Sequence, residues 1–367
     1  VKYSTEFRDP RVAAGFLHII RSLSERLEKS ISLMEVCGTH TMAIYRHGIR
    51  PLLPDPVRLT SGPGCPVCVT PVEFVDKAVA LARLPEVIVT TFGDMMRVPG
   101  SSSSLLREKA CGADVRIVYS PLDAVAIAEK NPRNQIVFLG VGFETTAPTV
   151  AASILDAAKR EVNNFFVLCA HKTMPQAMSA LTSDPDLKID GYLCPAHVST
   201  IIGADAYLPL ATARNIPCVI TGFEPVDILQ GIAMLVGQIV AGEARVENQY
   251  SRFVRPAGNP QALKILDQVF GPCDARWRGL GVIPGSGLII REKFSRFDIE
   301  KRLDIKTEVP HEPPGCRCGE ILMGKITPLD CPLFGTACTP EEPVGACMVS
   351  SEGVCSAAYK YGETSRS

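Results

Sequence analysis

From about residue 10 to residue 245 the chain alternates short apolar runs with longer stretches of helical periodicity. Runs of three to six residues rich in Val, Ile and Phe, each closed by a Gly, Pro or Thr turn, are too short for buried helices and read as strands. They fall at 32–36, 57–60, 87–91, 115–119, 136–139, 165–170, 192–194 and 217–221. Helix starts are marked between them. Asp9-Pro10, Ser120-Pro121 and Asn259-Pro260 pair an N-cap side chain with proline at the first helical position, and Thr70-Pro71-Val72-Glu73 predicts a capping box. Strand and helix in alternation predict an α/β fold of mostly parallel sheets.

Three strand ends share a pattern: Thr91-Phe92-Gly93-Asp94, Gly142-Phe143-Glu144 and Gly222-Phe223-Glu224. Two explanations stand. The α/β units are duplicated, or glycine simply permits each tight turn while an acid complements the next helix N-terminus. Beyond about residue 245 the alternation weakens, residues 308–315 (EVPHEPPG) are proline-rich, and the remainder is loop-like and dense in cysteine. The expected domains are 1–130, 131–245 and 246–367, namely two α/β domains followed by a connecting segment and a small irregular domain organised around a metal centre.

Charge and composition narrow the possible chemistry. Lys plus Arg number 38 against 39 Asp plus Glu, with no basic run, so nucleic-acid binding has no electrostatic support. The opening VKYSTEFRDP lacks a basic and an apolar signal region, and no apolar run of membrane-spanning length occurs. A cytoplasmic protein is expected. In that reducing compartment its 14 cysteines point to metal or redox chemistry rather than structural bridges.

Three constellations carry that chemistry. Cys37 and His40, in Met34-Glu35-Val36-Cys37-Gly38-Thr39-His40, follow a strand, where open α/β folds place ligands; they suit a metal, a thiol with its base, or a buried thiol beside a turn-capping histidine. Cys65 and Cys68, in Gly62-Pro63-Gly64-Cys65-Pro66-Val67-Cys68, precede a helix whose dipole favours thiolate, so they read as nucleophiles, ligands or a reversible disulfide. Cys318, Cys331, Cys338 and Cys355 are separated by 12, 6 and 16 residues, intervals that suit the soft sulfur cage of one iron–sulfur cube better than the close pairs of structural zinc. Cys316 and Cys347 are left over as spare thiols, substitute ligands or redox partners of the cluster, while Cys111, Cys169, Cys194, Cys218 and Cys273 read as small core residues. His171 and His197 also follow strands, where they line the same crevice or hydrogen-bond at strand ends.

Taken in order, Cys37-Gly38-Thr39-His40, the Gly62–Cys68 segment, Thr91-Phe92-Gly93-Asp94-Met95-Met96-Arg97-Val98-Pro99-Gly100, Gly142-Phe143-Glu144-Thr145-Thr146, Pro195-Ala196-His197-Val198 and the closing Cys338-Thr339-Pro340-Glu341 with Gly345–Gly353 resemble the [NiFe]-hydrogenase maturation factors of the HypD family. The resemblance runs from about residue 30 to the end. It implies a scaffold on which the Fe(CN)2(CO) unit is assembled in stable complex with HypC, with cyanide donated by HypE after modification by HypF, and delivery to the hydrogenase large subunit precursor through HypC. It places iron in the cleft between the α/β units, bordered by Cys37, Cys65 and Cys68, and a [4Fe-4S] cluster on Cys318, Cys331, Cys338 and Cys355. Cys37 is then the iron thiolate, Cys65 and Cys68 the redox pair and candidate further iron ligands, and His40 and Asp94 shape the site. The expected activity is assembly with redox function rather than ordinary turnover. Its rivals are a cluster-dependent thiol–disulfide oxidoreductase and a zinc-stabilised interaction module.

Overall fold

The computed structural model describes residues 6–362. Eleven strands occur among them: β1 (Ile31–Glu35), β2 (Val57–Ser61), β3 (Val87–Thr91), β4 (Val115–Ile117), β5 (Gln135–Gly140), β6 (Phe165–Cys169), β7 (Gly191–Pro195), β8 (Cys218–Thr221), β9 (Val246–Asn248), β10 (Phe270–Trp277) and β11 (Gly281–Ile290). All eight expected strands are present. The fourth is shorter than expected because Ser120 caps the next helix in a full capping box with Asp123.

β2-β1-β7-β8-β9 form one parallel sheet and β4-β3-β5-β6 another, with helices packed against both. The second sheet is therefore an insertion between the two parts of the first. The expected boundary at 130 falls between β4 and β5, inside that inserted sheet, because β1 and β2 complete their sheet with strands from beyond residue 190. Sequence order cannot reveal this, since every unit has the same strand–helix grammar.

Two other expectations change. Residues 270–290 form an antiparallel hairpin, concealed in the sequence by Pro272, Pro284 and a bulge between Cys273 and Ala275 that breaks the alternation. Thr70 does not cap the following helix, which starts at Val72 without a side-chain cap; its hydroxyl donates instead to the Pro66 carbonyl. No helix among the described residues is long and apolar enough to cross a membrane.

The C-terminal segment has only short helices: Cys318–Leu322, Ala346–Val349 and Val354–Tyr361. Its buried residues Cys318, Ile321, Cys347, Met348 and Cys355 share one hydrophobic core with Met34, Val36, Cys65 and Cys68. It is thus packed onto the first sheet rather than hung from a linker.

Candidate metal and thiol site

Strand order fixes where a ligand can sit. In the first sheet the chain leaves β1 toward β2 on one side and β7 on the other, so a crevice opens beyond the C-terminal ends of β1 and β7. Cys37 follows β1 and His197 follows β7. The second sheet has its crevice between β3 and β5, at Phe92–Asp94 and Val141–Glu144. Asp94 is exposed there, and no described contact joins it to the Cys37 turn.

Cys37 is the N-cap of the helix Gly38–Arg46. Its backbone is held from both sides. The Cys37 N–H donates to Glu35 Oε2 at 3.1 Å, and Thr41 Oγ1 donates to Glu35 Oε1 at 2.6 Å. On the other side the Gly38 N–H donates to the Gly64 carbonyl at 3.0 Å, and a Cβ on Gly64 would lie 2.2 Å from the Cys37 nitrogen. Only glycine admits this approach, which brings the Gly62–Cys68 loop onto the Cys37 turn. Burial pushes the Cys37 thiol up to about 12 against the pull of the Thr39 and His40 amides, so a metal bound there must displace a proton.

His40 is wholly buried. Its Nε2–H donates to the Thr221 and Gly222 carbonyls, each at 3.0 Å, which fixes the tautomer and leaves Nδ1 as a buried acceptor with no partner. Burial lowers its pKa to about 4, so the ring is neutral. Phe223 packs between His40 and His197, at 5.0 Å and 4.2 Å between centroids. Glu352 closes the turn: its Oε1 accepts from Thr39 Oγ1 at 2.6 Å, and its Cβ would lie 2.6 Å from a Cβ on Gly38.

Cys65 caps the short helix Pro66–Val69, its sulfur accepting the Cys68 N–H at 3.3 Å. Cys68 lies inside that helix, and its thiol is raised by burial and by the neighbouring Cys347 and Cys65 thiols, contrary to the thiolate expected of a helix N-terminus. Cys37 and Cys65 keep 7% and 4% of their surface exposed, and Cys68 keeps none.

Cys318, Cys331, Cys338 and Cys355 line one cavity together with Cys316, and its remaining lining, Ile321, Leu333, Phe334 and Met348, is hydrocarbon and thioether. No oxygen or nitrogen side chain enters it. Such a donor set fits a soft iron–sulfur cofactor. Gly345 seals one wall, since a Cβ there would lie 2.5 Å from both the Cys316 and Cys318 sulfurs. No three His, Cys, Asp or Glu side chains among the described residues are placed to hold a single ion; in a cube each thiolate binds a different iron, so that convergence is not required.

Cys347 joins the two thiol groups. It is fully buried, and the neighbouring Cys318, Cys355 and Cys68 thiols lower it well below the usual thiol range. Contacts therefore run from Cys65 to Cys68, to Cys347, and on to Cys318 and Cys355. Sequence reasoning left Cys347 open as a spare thiol, a substitute ligand or a redox partner of the cluster and gave Glu35 no role. A carboxylate at the end of the largely apolar β1 was a readable signal for Glu35, whereas the neighbours of Cys347 are far away in sequence and do not show in its spacing.

The profile of the family described as "HypD: Hydrogenase formation hypA family" matches residues 11–362. The chain belongs to the HypD family. It is 47% identical to the hydrogenase maturation factor HypD of Escherichia coli (strain K12), over 98% of each chain. The Azotobacter vinelandii HypD is 47% identical over 99% of this chain and 97% of its own, and that of Rhodobacter capsulatus 44% identical over 99% and 98%.

Glu144, in the second crevice, is buried with Oε1 accepting the Met174 N–H at 2.9 Å and Oε2 unpartnered. Burial raises its pKa from 4.5 to about 7. The folded chain then keeps a proton that the unfolded chain releases, so stability falls as pH rises between those values. Glu144→Gln is expected to remove this loss, gaining up to about 3 kcal/mol over the parent at pH 8 and little at pH 4. Denaturant unfolding at the two pH values measures it; equal differences at both would contradict the assignment.

Proposed function

We propose that this chain is a [NiFe]-hydrogenase maturation scaffold that holds an iron atom at Cys37, in complex with HypC, while cyanide and carbon monoxide are added to it. The observation that carries this reading is the unbroken run of thiols from the Cys65–Cys68 loop, packed against the Cys37 turn, to the sulfur-lined cavity. Relatives named hydrogenase maturation factors, matched over nearly their whole length, support it.

Each residue has a task that follows from its surroundings. Glu35, pushed up by burial, orients the Cys37 backbone and Thr41. The neutral His40 is tied by its Nε2–H to the Thr221 and Gly222 carbonyls and so locks the helix Gly38–Arg46 against the end of β8. Glu352 and Thr39 fix the helix end beside the thiol. HypE presents cyanide as a thiocyanate, and releasing it as cyanide takes two electrons. The Cys65–Cys68 dithiol can give them: the S–C bond of the thiocyanate breaks, a Cys65–Cys68 disulfide forms, and the two thiol protons pass to the departing thiolate and cyanide. Cys318, Cys331, Cys338 and Cys355 would hold a [4Fe-4S] cluster, which when bound supplies electrons that return the disulfide to dithiol. Cys347 stands between them. The protein then works in the cytoplasm and hands its product, through HypC, to the hydrogenase large subunit precursor.

Anaerobically purified protein is expected to be brown, with acid-labile sulfide that Cys338→Ala removes. A colourless zinc protein would overturn the cluster. Iron beyond the cluster's own, lost in Cys37→Ala, separates the scaffold from a thiol–disulfide oxidoreductase, which needs no iron in the cleft.

A further inference from the structure

The segment after β6 runs antiparallel to β11. Lys172 is bridged to Gly287, the His171 carbonyl accepts the Leu288 N–H at 3.1 Å, and on the far side of β11 Gly287 is registered with Cys273 of β10. Residues directly opposite across strands point to the same face with Cβ atoms about 4.5–5.5 Å apart. Between Lys172 and Cys273 the middle residue is glycine, so β11 places no side chain of its own between them. Where a Gly287 Cβ would stand, the Ala275 Cβ lies 2.7 Å away and the Cys273 Sγ 3.1 Å away. Lys172 is 3% exposed, has its Nζ 5.6 Å from the centre of the Trp277 ring, and has no carboxylate paired with it among the described residues. A buried ammonium without an anion is costly. Burial accordingly lowers its pKa to about 8, which leaves about half of it as free amine at pH 8. Cys273 is partly exposed, so a small oxidant reaches the thiol while the amine stays covered.

We propose that Lys172 and Cys273 form a covalent modification site, an oxidation-dependent sulfur–nitrogen bond between strands. Hydrogen peroxide, or another two-electron peroxide, oxidises the Cys273 thiol to a sulfenic acid and is reduced to water. The Lys172 amine then attacks that sulfur, the S–O bond breaks, and the hydroxyl leaves as water with one amine proton. The product is a sulfenamide. Two equivalents of an external thiol restore the thiol and the amine and become a disulfide. The bond staples the end of β6 to β10, whose far end carries Arg278. That residue donates from its Nε to the Thr70 carbonyl at 2.9 Å and from its backbone N–H to the Val69 carbonyl at 2.9 Å, so the stapled hairpin braces the Cys65–Cys68 helix. The proposal stands whether or not the maturation reading does.

The test treats the full-length protein with hydrogen peroxide at pH 8, blocks free thiols and maps peptides by tandem mass spectrometry. The expected result is a peptide pair joined through Lys172 and Cys273, lighter by two hydrogen atoms than the separate peptides and released by dithiothreitol. It should be absent from Lys172→Arg and from Cys273→Ser, both checked for folding by thermal melts. Three outcomes would overturn the proposal: Cys273 recovered as sulfinic acid without the crosslink, Cys273 joined to Cys169 in the parent protein, or a crosslink that persists in Lys172→Arg.

Discussion

Replacing Cys37 by alanine is expected to abolish the infrared cyanide and carbonyl bands of protein isolated with HypC, while leaving the brown colour intact. The sulfur lies at the crevice between β1 and β7, with backbone held by Glu35 on one side and Gly64 on the other. No other thiol stands on that turn: His40 keeps only a harder, wholly buried nitrogen, and Glu35 is engaged by the Cys37 amide and Thr41. Losing one small buried side chain costs on the order of 1 kcal/mol, so the variant should fold. Bands of undiminished intensity in Cys37→Ala would remove the thiolate from its role.

The second large effect concerns Cys347. Alanine there removes the thiol that meets Cys68 on one side and Cys318 and Cys355 on the other. Cluster content, measured as acid-labile sulfide, should be unchanged, whereas reduction of a Cys65–Cys68 disulfide by dithionite-reduced protein should slow by about tenfold or more, equivalent to ~1.4 kcal/mol of barrier. Undiminished reduction would show that the dithiol does not depend on this contact. Loss of the sulfide itself would mean instead that Cys347 is a cluster ligand.

Much of the fold was legible because parallel strands buried on both faces read as continuous apolar runs, as in Val87–Thr91 and Phe165–Cys169. The pairing of those strands was not. β1 pairs with β7 across more than 150 residues, and the local pattern of neither strand says so. The Cys37 and Cys65 turns were visible as motifs, and Gly64 explains why they meet. Asp94 followed the same strand-end logic but belongs to the other sheet's crevice. The thiols at Cys68, Cys347 and Cys318 come together only through packing of the C-terminal segment into the first sheet's core, a long-range event that no spacing rule encodes.

The most direct test of the maturation scaffold is anaerobic co-purification of the full chain with HypC, with iron, acid-labile sulfide and infrared spectra measured on one sample. The account predicts a stable complex, sulfide matching one [4Fe-4S] cluster, iron in excess of that cluster, and both cyanide and carbonyl bands. A complex whose iron is fully explained by the cluster, with no such bands, would contradict it.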